Sequence, residues 1–190
     1  MAASQAPVVI LLDSCSYFRL GLSFHPILVR LLGDPEYALM VIDELDREYA
    51  RSPRLRTKFW WANSEEHRME RKSNCYSLKG KKAKDAALVF SYIDQYAKDN
   101  NIGVSLIDKC VLSAAYTTNG YVVTDDVDMQ SVAAAFGIKV FSTLQLLQLL
   151  YERGKVQIEE IDSVIEYWIY ENDLPTGFVA IRTWRNGLEQ

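Results

Sequence analysis

Twice in this chain an apolar run ends abruptly in acid. Val8-Val9-Ile10-Leu11-Leu12 stops at Asp13, and Tyr121-Val122-Val123-Thr124 stops at Asp125-Asp126-Val127-Asp128. Unbroken β-branched and aliphatic runs read as strands buried on both faces, the pattern of a parallel sheet. In open parallel sheets, sites form beyond the carboxyl ends of the strands. Two carboxylates about 4 Å apart on neighbouring strand ends would repel by roughly 4 kcal/mol at an effective dielectric near 20. Such a pair has to hold a proton, a cationic side chain or a bound cation. Oxygen-only ligands favour Mg²⁺ or Mn²⁺ over zinc. Several carboxylates around such an ion support phosphoryl chemistry, because the ion activates water and neutralises charge on the phosphate. Each acid taken singly also has a plainer use. Asp13, Asp125 and Asp128 suit helix caps or turns, and Glu44 and Asp108 suit solvated helix faces.

Competing chemistries lack their residues. There is no Walker A loop, GxGxxG, HExxH or GxSxG, which removes support for nucleotide motors, dinucleotide enzymes, zincins and serine hydrolases. A dehalogenase-type phosphatase needs Asp-x-Asp after its first strand, and Asp13-Ser14-Cys15 lacks the second acid. Cys15, Cys75 and Cys110 form no CxxC and make an odd count, so they read as small buried hydrophobes rather than a disulfide framework or zinc site. His25 and His67 read as surface or packing residues.

The elements that must position the acids follow from periodicity. With 190 residues, 49% of them apolar, the chain has the length of one domain. Helical spacing marks Pro35–Arg51 through Leu39, Ile42, Leu45 and Tyr49, with Asp34 as cap and Pro35 in the first turn. It marks Lys84–Asn100 and Ser105–Thr118, the latter with Asp108 in its first turn, and then Met129–Phe136, Ser142–Arg153 and Gln157–Glu171. Ile138–Phe141 reads as a third strand. Strands alternating with helices predict an α/β class with a parallel sheet. The expected layout is one domain over residues 1–152, with a helix and tail at 153–190 packed on it. No apolar run approaches the roughly 20 residues needed to span a bilayer, and no signal peptide is evident. The expected setting is therefore the cytoplasm, away from membranes.

Charge is unevenly spread. The net charge is -4, yet Arg51–Lys84 carries 11 Lys and Arg against 3 Asp and Glu. That segment lacks clean periodicity and is expected to be loop with short helical pieces. Its cations could meet phosphates while Trp60 or Trp61 stacks a base, although core packing is the expected fate of at least one of these rings. The best phosphate-binding candidates are Arg54, Arg56, Lys58, Lys81 and Lys82.

Four pieces of the chain resemble the motifs of PIN-domain nucleases. They are Val8–Cys15, Val41-Ile42-Asp43-Glu44-Leu45, Leu106–Ala115 and Gly120–Met129. The family's pattern is an aspartate after the first strand, a glutamate in an early helix, an aspartate opening a mid-chain helix, and Thr-x-Asp after the next strand. Those positions fall on Asp13, Glu44, Asp108 and Asp126. Asp128 matches a frequent fifth acid, Thr124 the supporting hydroxyl, and Asp125 the variable middle place. The match runs from about residue 7 to 150.

This resemblance implies a three-layer α/β/α PIN-like domain with a central, mostly parallel sheet. It implies a Mg²⁺- or Mn²⁺-dependent endoribonuclease acting on an RNA substrate. Asp13, Asp108, Asp126 and Asp128 would be metal ligands, Glu44 a ligand or acceptor for bound water, and Thr124 and Asp125 supports of the ligands. Small bacterial members are often toxins, neutralised by an antitoxin protein and frequently homodimeric. The family's compact members are shorter, so 51–84 reads as an expansion and the region after Lys155 as an addition. The alternative is a catalytically inert PIN-like nucleic-acid-binding or scaffold module.

Overall fold

The structure is a computed structural model that describes residues 7–28, 31–32 and 36–175. Strand β1 (Val8–Leu12) lies at the centre of a five-stranded sheet of order β2-β3-β1-β4-β5. β3 (Tyr37–Met40), β1, β4 (Tyr121–Val123) and β5 (Lys139–Phe141) run parallel. The short β2 (Leu31–Leu32) pairs antiparallel with β3 at the edge.

Helices cover both faces, giving three α/β/α layers. Ile10, Leu12, Leu39 and Val123 point into one core, which they share with α1 (Ser14–Leu20), α8 (Thr143–Glu152) and α9 (Ile158–Tyr170). Leu11 and Val122 point into the other, built with α5 (Gly80–Asp99), α6 (Leu106–Thr118) and α7 (Val127–Ala135). Alternate residues of one apolar strand thus feed opposite cores, which is why β1 has no polar face. Gly120 leads into β4 where a Cβ would lie 2.6 Å from the Val9 carbonyl oxygen, so only glycine fits against β1. Ile161, Val164, Ile165 and Trp168 of α9 belong to the first core, so this helix packs on the sheet domain. Among the described residues no helix is long and apolar enough to cross a membrane.

One element departs from its sequence pattern. The helix expected over Pro35–Arg51 is a strand, Tyr37–Met40, followed by α2 (Asp43–Arg51). Leu39 and Val41 enter one core while Met40 and Ile42 face the other. That two-residue alternation is hidden when only Leu39, Ile42, Leu45 and Tyr49 are counted, since their spacing also fits a helix. The expected cap Asp34 and first-turn Pro35 lie outside the described residues. So does the tail from Phe178.

The basic segment is short helices: α3 (Pro53–Lys58), a 3₁₀ turn (Trp60–Asn63) and α4 (Glu65–Ser73), before α5 begins at Gly80. Trp61 is buried against Tyr17 and Phe18, whereas Trp60 is 74% exposed. Arg71 is buried too, bonded to Asp46 at 2.6 Å and to the Tyr17 hydroxyl at 3.3 Å. The His25 and His67 rings pack at a tilt with centroids 4.1 Å apart, away from the acids at the strand ends, with His25 3.6 Å from Glu70 and His67 bonded to the Ser64 hydroxyl at 2.8 Å.

Candidate active site at the strand ends

The ends of β1 and β4 adjoin, because Leu12 pairs with Val123 and the Asp13 amide donates to the Val123 carbonyl at 3.1 Å. Asp13 is 4% exposed. It caps α1, its Oδ1 accepting from the Ser16 amide at 2.6 Å. Burial pushes its pKa up to about 6, an effect opposed by hydrogen bonds from Thr124 and Ser16 and reinforced by the charge of Asp125. Amide and hydroxyl donors surround this buried carboxylate rather than a basic side chain.

Thr124 joins two of the acids. Its buried hydroxyl donates to Asp13 and accepts from the Asp126 amide at 3.1 Å. Asp126 is exposed and caps α7, accepting from the Met129 amide at 2.8 Å. Asp128 accepts from the Gly103 amide at 3.1 Å, which ties α7 to the segment before α6. Asp108 forms a capping box with Ser105 at the start of α6, with bonds of 2.8 and 3.1 Å. Glu44 opens α2 and pairs with Arg47 at 3.2 Å. Every predicted acid other than Asp125 therefore sits in the cap or first turn of a helix, where the helix dipole favours negative charge.

Two cysteines each feel the charge of more than one of these acids. Cys15 is exposed and Cys75 and Cys110 are half-buried, so none is the buried hydrophobe expected; the Cys15 thiol is still pushed up to about 12, by desolvation first and then by Asp13, with Glu48 and Asp108 adding and Arg19 opposing. Cys110 is raised to about 11 by burial, with Glu44 and Asp108 adding. Asp13, Glu44 and Asp108 thus share neighbours, and Asp126 joins through Thr124. Glu48 enters as well, since the Ser14 hydroxyl donates to it. Sequence reading passed over Glu48, although it stands four residues after Glu44 and so on the same helix face.

Asp125 is committed elsewhere. It is buried, accepts from both the amide and the hydroxyl of Thr143, and pairs with Arg19 at 3.1 Å. It clamps the end of β4 to α8 and α1, while its charge still reaches Asp13.

Oxygen donors of this kind suit Mg²⁺ or Mn²⁺. Capping engages one oxygen of each acid, Oδ1 of Asp13 and Asp126 and Oδ2 of Asp108, and a carboxylate has acceptor capacity beyond that single bond. Among the described residues, no three carboxylate, histidine or cysteine groups are gathered closely enough to hold an ion as they stand. The donor chemistry fits; the present side-chain positions are those of helix caps.

Of the predicted phosphate-binding cations, Arg54, Arg56, Lys81 and Lys82 are exposed. Lys58 pairs with Asp173 at 3.0 Å, and Asp173 also approaches Arg19 at 3.6 Å. Arg54 and Lys58 line a cavity of about 340 Å³ that reaches Ser14, Cys15 and Glu48, beside the acids.

The chain is similar in structure to three solved complexes. FitAcB from Neisseria gonorrhoeae matches at TM-score 0.47 and 13% identity, over 70% of this chain and 97% of that one. VapBC-5 from Mycobacterium tuberculosis, of the VapBC family of toxin-antitoxin systems, matches at 0.41 and 16%, over 72% and 99%. VapBC2 from Rickettsia felis, bound to a DNA fragment from its promoter, matches at 0.41 and 10%, over 70% and 98%. No family model matches the sequence, and no curated protein matches it.

Proposed function

We propose that this chain is a divalent-metal-dependent endoribonuclease working at the ends of β1 and β4. The observation that carries the reading is Asp13, a buried carboxylate whose charge is opposed by burial and which Thr124 links to Asp126. Burial of an anion without a basic partner is costly, and a bound cation offsets that cost.

In this reading Asp13, Asp108 and Asp126 supply the oxygens that would hold Mg²⁺ or Mn²⁺, with Asp128 adding charge behind them. When bound, such an ion stabilises charge on the phosphate and on the leaving oxygen, and makes water more nucleophilic. Glu44, in the first turn of α2, would accept a proton from attacking water. Thr124 fixes the Asp13 carboxylate by donating its hydroxyl hydrogen. Arg54, Arg56, Lys81 and Lys82 attract the strand's phosphates. A toxin role, with an antitoxin or a second copy of the chain as partner, rests on the sequence resemblance.

The test is cleavage of a mixed-sequence RNA by the purified protein with Mg²⁺, Mn²⁺ or EDTA. Metal-dependent cleavage, lost in Asp13→Asn and Asp108→Asn while circular dichroism is unchanged, is the expected result. Equal cleavage by wild type and both variants overturns the reading.

A second reading, a nucleic-acid-binding module without turnover, is favoured by the capping roles of Asp13, Asp108 and Asp126. Calorimetry separates the two, because no heat with millimolar Mn²⁺ supports the inert module.

A further inference from the structure

Beside Glu44 the surface opens into a cavity of about 420 Å³. Its walls are the start of α2, residues 76–78, and the facing sides of α5 and α6. The cavity has a cause in the sequence. Along α5 the residues turned to this side are Ala83, Ala86, Ala87 and Phe90, the spacing of a packing face. Large side chains are usual on such a face; three of these are alanine. Opposite, Ser113 turns its hydroxyl to the Lys109 carbonyl of its own helix at 2.5 Å and leaves space in front of it. Further along, Asp94 binds Lys109 at 2.7 Å and Lys98 at 2.6 Å, and Ile93 is fully buried. The two helices are pinned by this ion pair, and the small side chains beyond it leave the cavity between their facing sides.

Three observations say what fills the gap. The lining pairs Tyr76, Leu78 and Phe90 with the polar residues Ser77 and Asp43; Asp43 Oδ1 accepts from the Cys75 thiol at 2.8 Å, and its carboxylate has acceptor capacity beyond that bond. A flat ring bearing hydrogen-bond donors on its edge matches that mixture. Glu44 belongs both to the cavity wall and to the acid site, so an occupant here is one group away from a phosphate held at the acids. Lys81 and Lys82 stand exposed in the first turn of α5, directly before the wall residue Ala83, and Lys82 lines a neighbouring cavity together with Tyr76. That is a phosphate-attracting border beside an aromatic-lined hollow. The volume lies within the roughly 300–1,000 Å³ of ligand pockets.

We propose that this cavity is a nucleobase pocket, which receives the base next to the scissile phosphate of single-stranded RNA and prefers a base with an exocyclic amino group. It deepens the nuclease reading and rests on it. Tyr76 and Phe90 present ring surface to the base, and Asp43 accepts from the amino group, as acidic side chains accept from cytosine N4. Uracil has no such donor and is the weakest occupant. The alanines of α5 are the specificity determinants, because any larger residue closes the pocket.

The probe is a set of labelled 12-nucleotide oligo(A), oligo(C) and oligo(U), titrated by fluorescence polarisation into Asp13→Asn protein so that the RNA stays intact. Oligo(A) and oligo(C) are expected to bind about tenfold more tightly than oligo(U), the scale of one base contact. Adding Ala87→Trp, at an exposed helical position, fills the pocket, and adding Tyr76→Ala strips it. Each is expected to bring the ratio below about three, whereas Lys81→Ala weakens all three RNAs alike. Ala83→Phe replaces Ala87→Trp if circular dichroism shows that variant unfolded. Binding of all three RNAs within twofold, or a ratio unchanged by filling and stripping, overturns the proposal. The nuclease reading fails separately: wild-type protein that leaves RNA intact with Mn²⁺, while discrimination persists, removes catalysis and keeps the pocket.

Discussion

Asp125 and Asp126 are neighbours in the chain and opposites in the fold. Asp125 is buried with a guanidinium and two donors from Thr143, so its charge is matched. Asp126, exposed at the head of α7, and Asp13, buried at the head of α1, have helix amides and hydroxyls but, among the described residues, no cation paired with them. The difference separates anchoring from chemistry. A carboxylate that brings its own counter-charge holds layers together, and one left without it can recruit a charge from outside.

The sharpest break is to substitute the two neighbours in turn. Asp126→Asn is expected to lower RNA cleavage by at least about 100-fold with melting temperature nearly unchanged. Asp125→Ala is expected to cost about 3 kcal/mol, because it leaves the Thr143 amide without its acceptor and Arg19 with only the longer contact to Asp173 in a largely buried place. In a chain of this size that is a fall of roughly 6–12 °C, measurable by calorimetry. If Asp125→Ala melts with wild type, the two acids are not distinct in role.

Titration sharpens the contrast at Asp13. Its folded pKa, about 6, lies above the ordinary aspartate value of 3.8. The folded state therefore binds the proton more tightly, and ionisation works against folding. The penalty is absent below pH 4, grows between pH 4 and 6, and is constant above, at about 3 kcal/mol for two pKa units. Urea melts without divalent metal should show Asp13→Asn gaining on wild type across that window. A gap that stays flat from pH 4 to 7 contradicts the burial account. The smallest effect is at the rim, where Lys81→Ala is expected to reduce the slope of log affinity against log salt by about 0.7 for a single strand.

How much of this could be read from the residues depends on distance along the chain. Val8–Leu12 and Tyr121–Thr124 announce their strands because both faces are apolar, and the acids after them are visible as interruptions. Tyr37–Met40 was hidden because its neighbours also satisfy helical spacing, and only the sheet resolves which period applies. The capping role of Asp13 was legible as an alternative, since it depends on a residue three positions away, but at the second acidic run the cap or turn was assigned to Asp125 and Asp128 and the capping residue is Asp126. The partner of Asp125 was not. Thr143 lies 18 positions on and Arg19 lies 106 positions back, and nothing local predicts either. The cavity over Ala83, Ala86 and Ala87 was illegible for a similar reason, because a row of alanines is space only when the opposite helix also withholds bulk.

β1 has a bonded neighbour along each edge, and the Asp13 amide continues that ladder through the Val123 carbonyl. The Asp126 amide bonds only to the hydroxyl of Thr124, outside any strand. In heavy water the first amide belongs with the slowest in the molecule to exchange, and the second with those that open early. The two flanks of the strand ends are thus expected to differ in how readily they open, one tied into the ladder and the other held through a side chain.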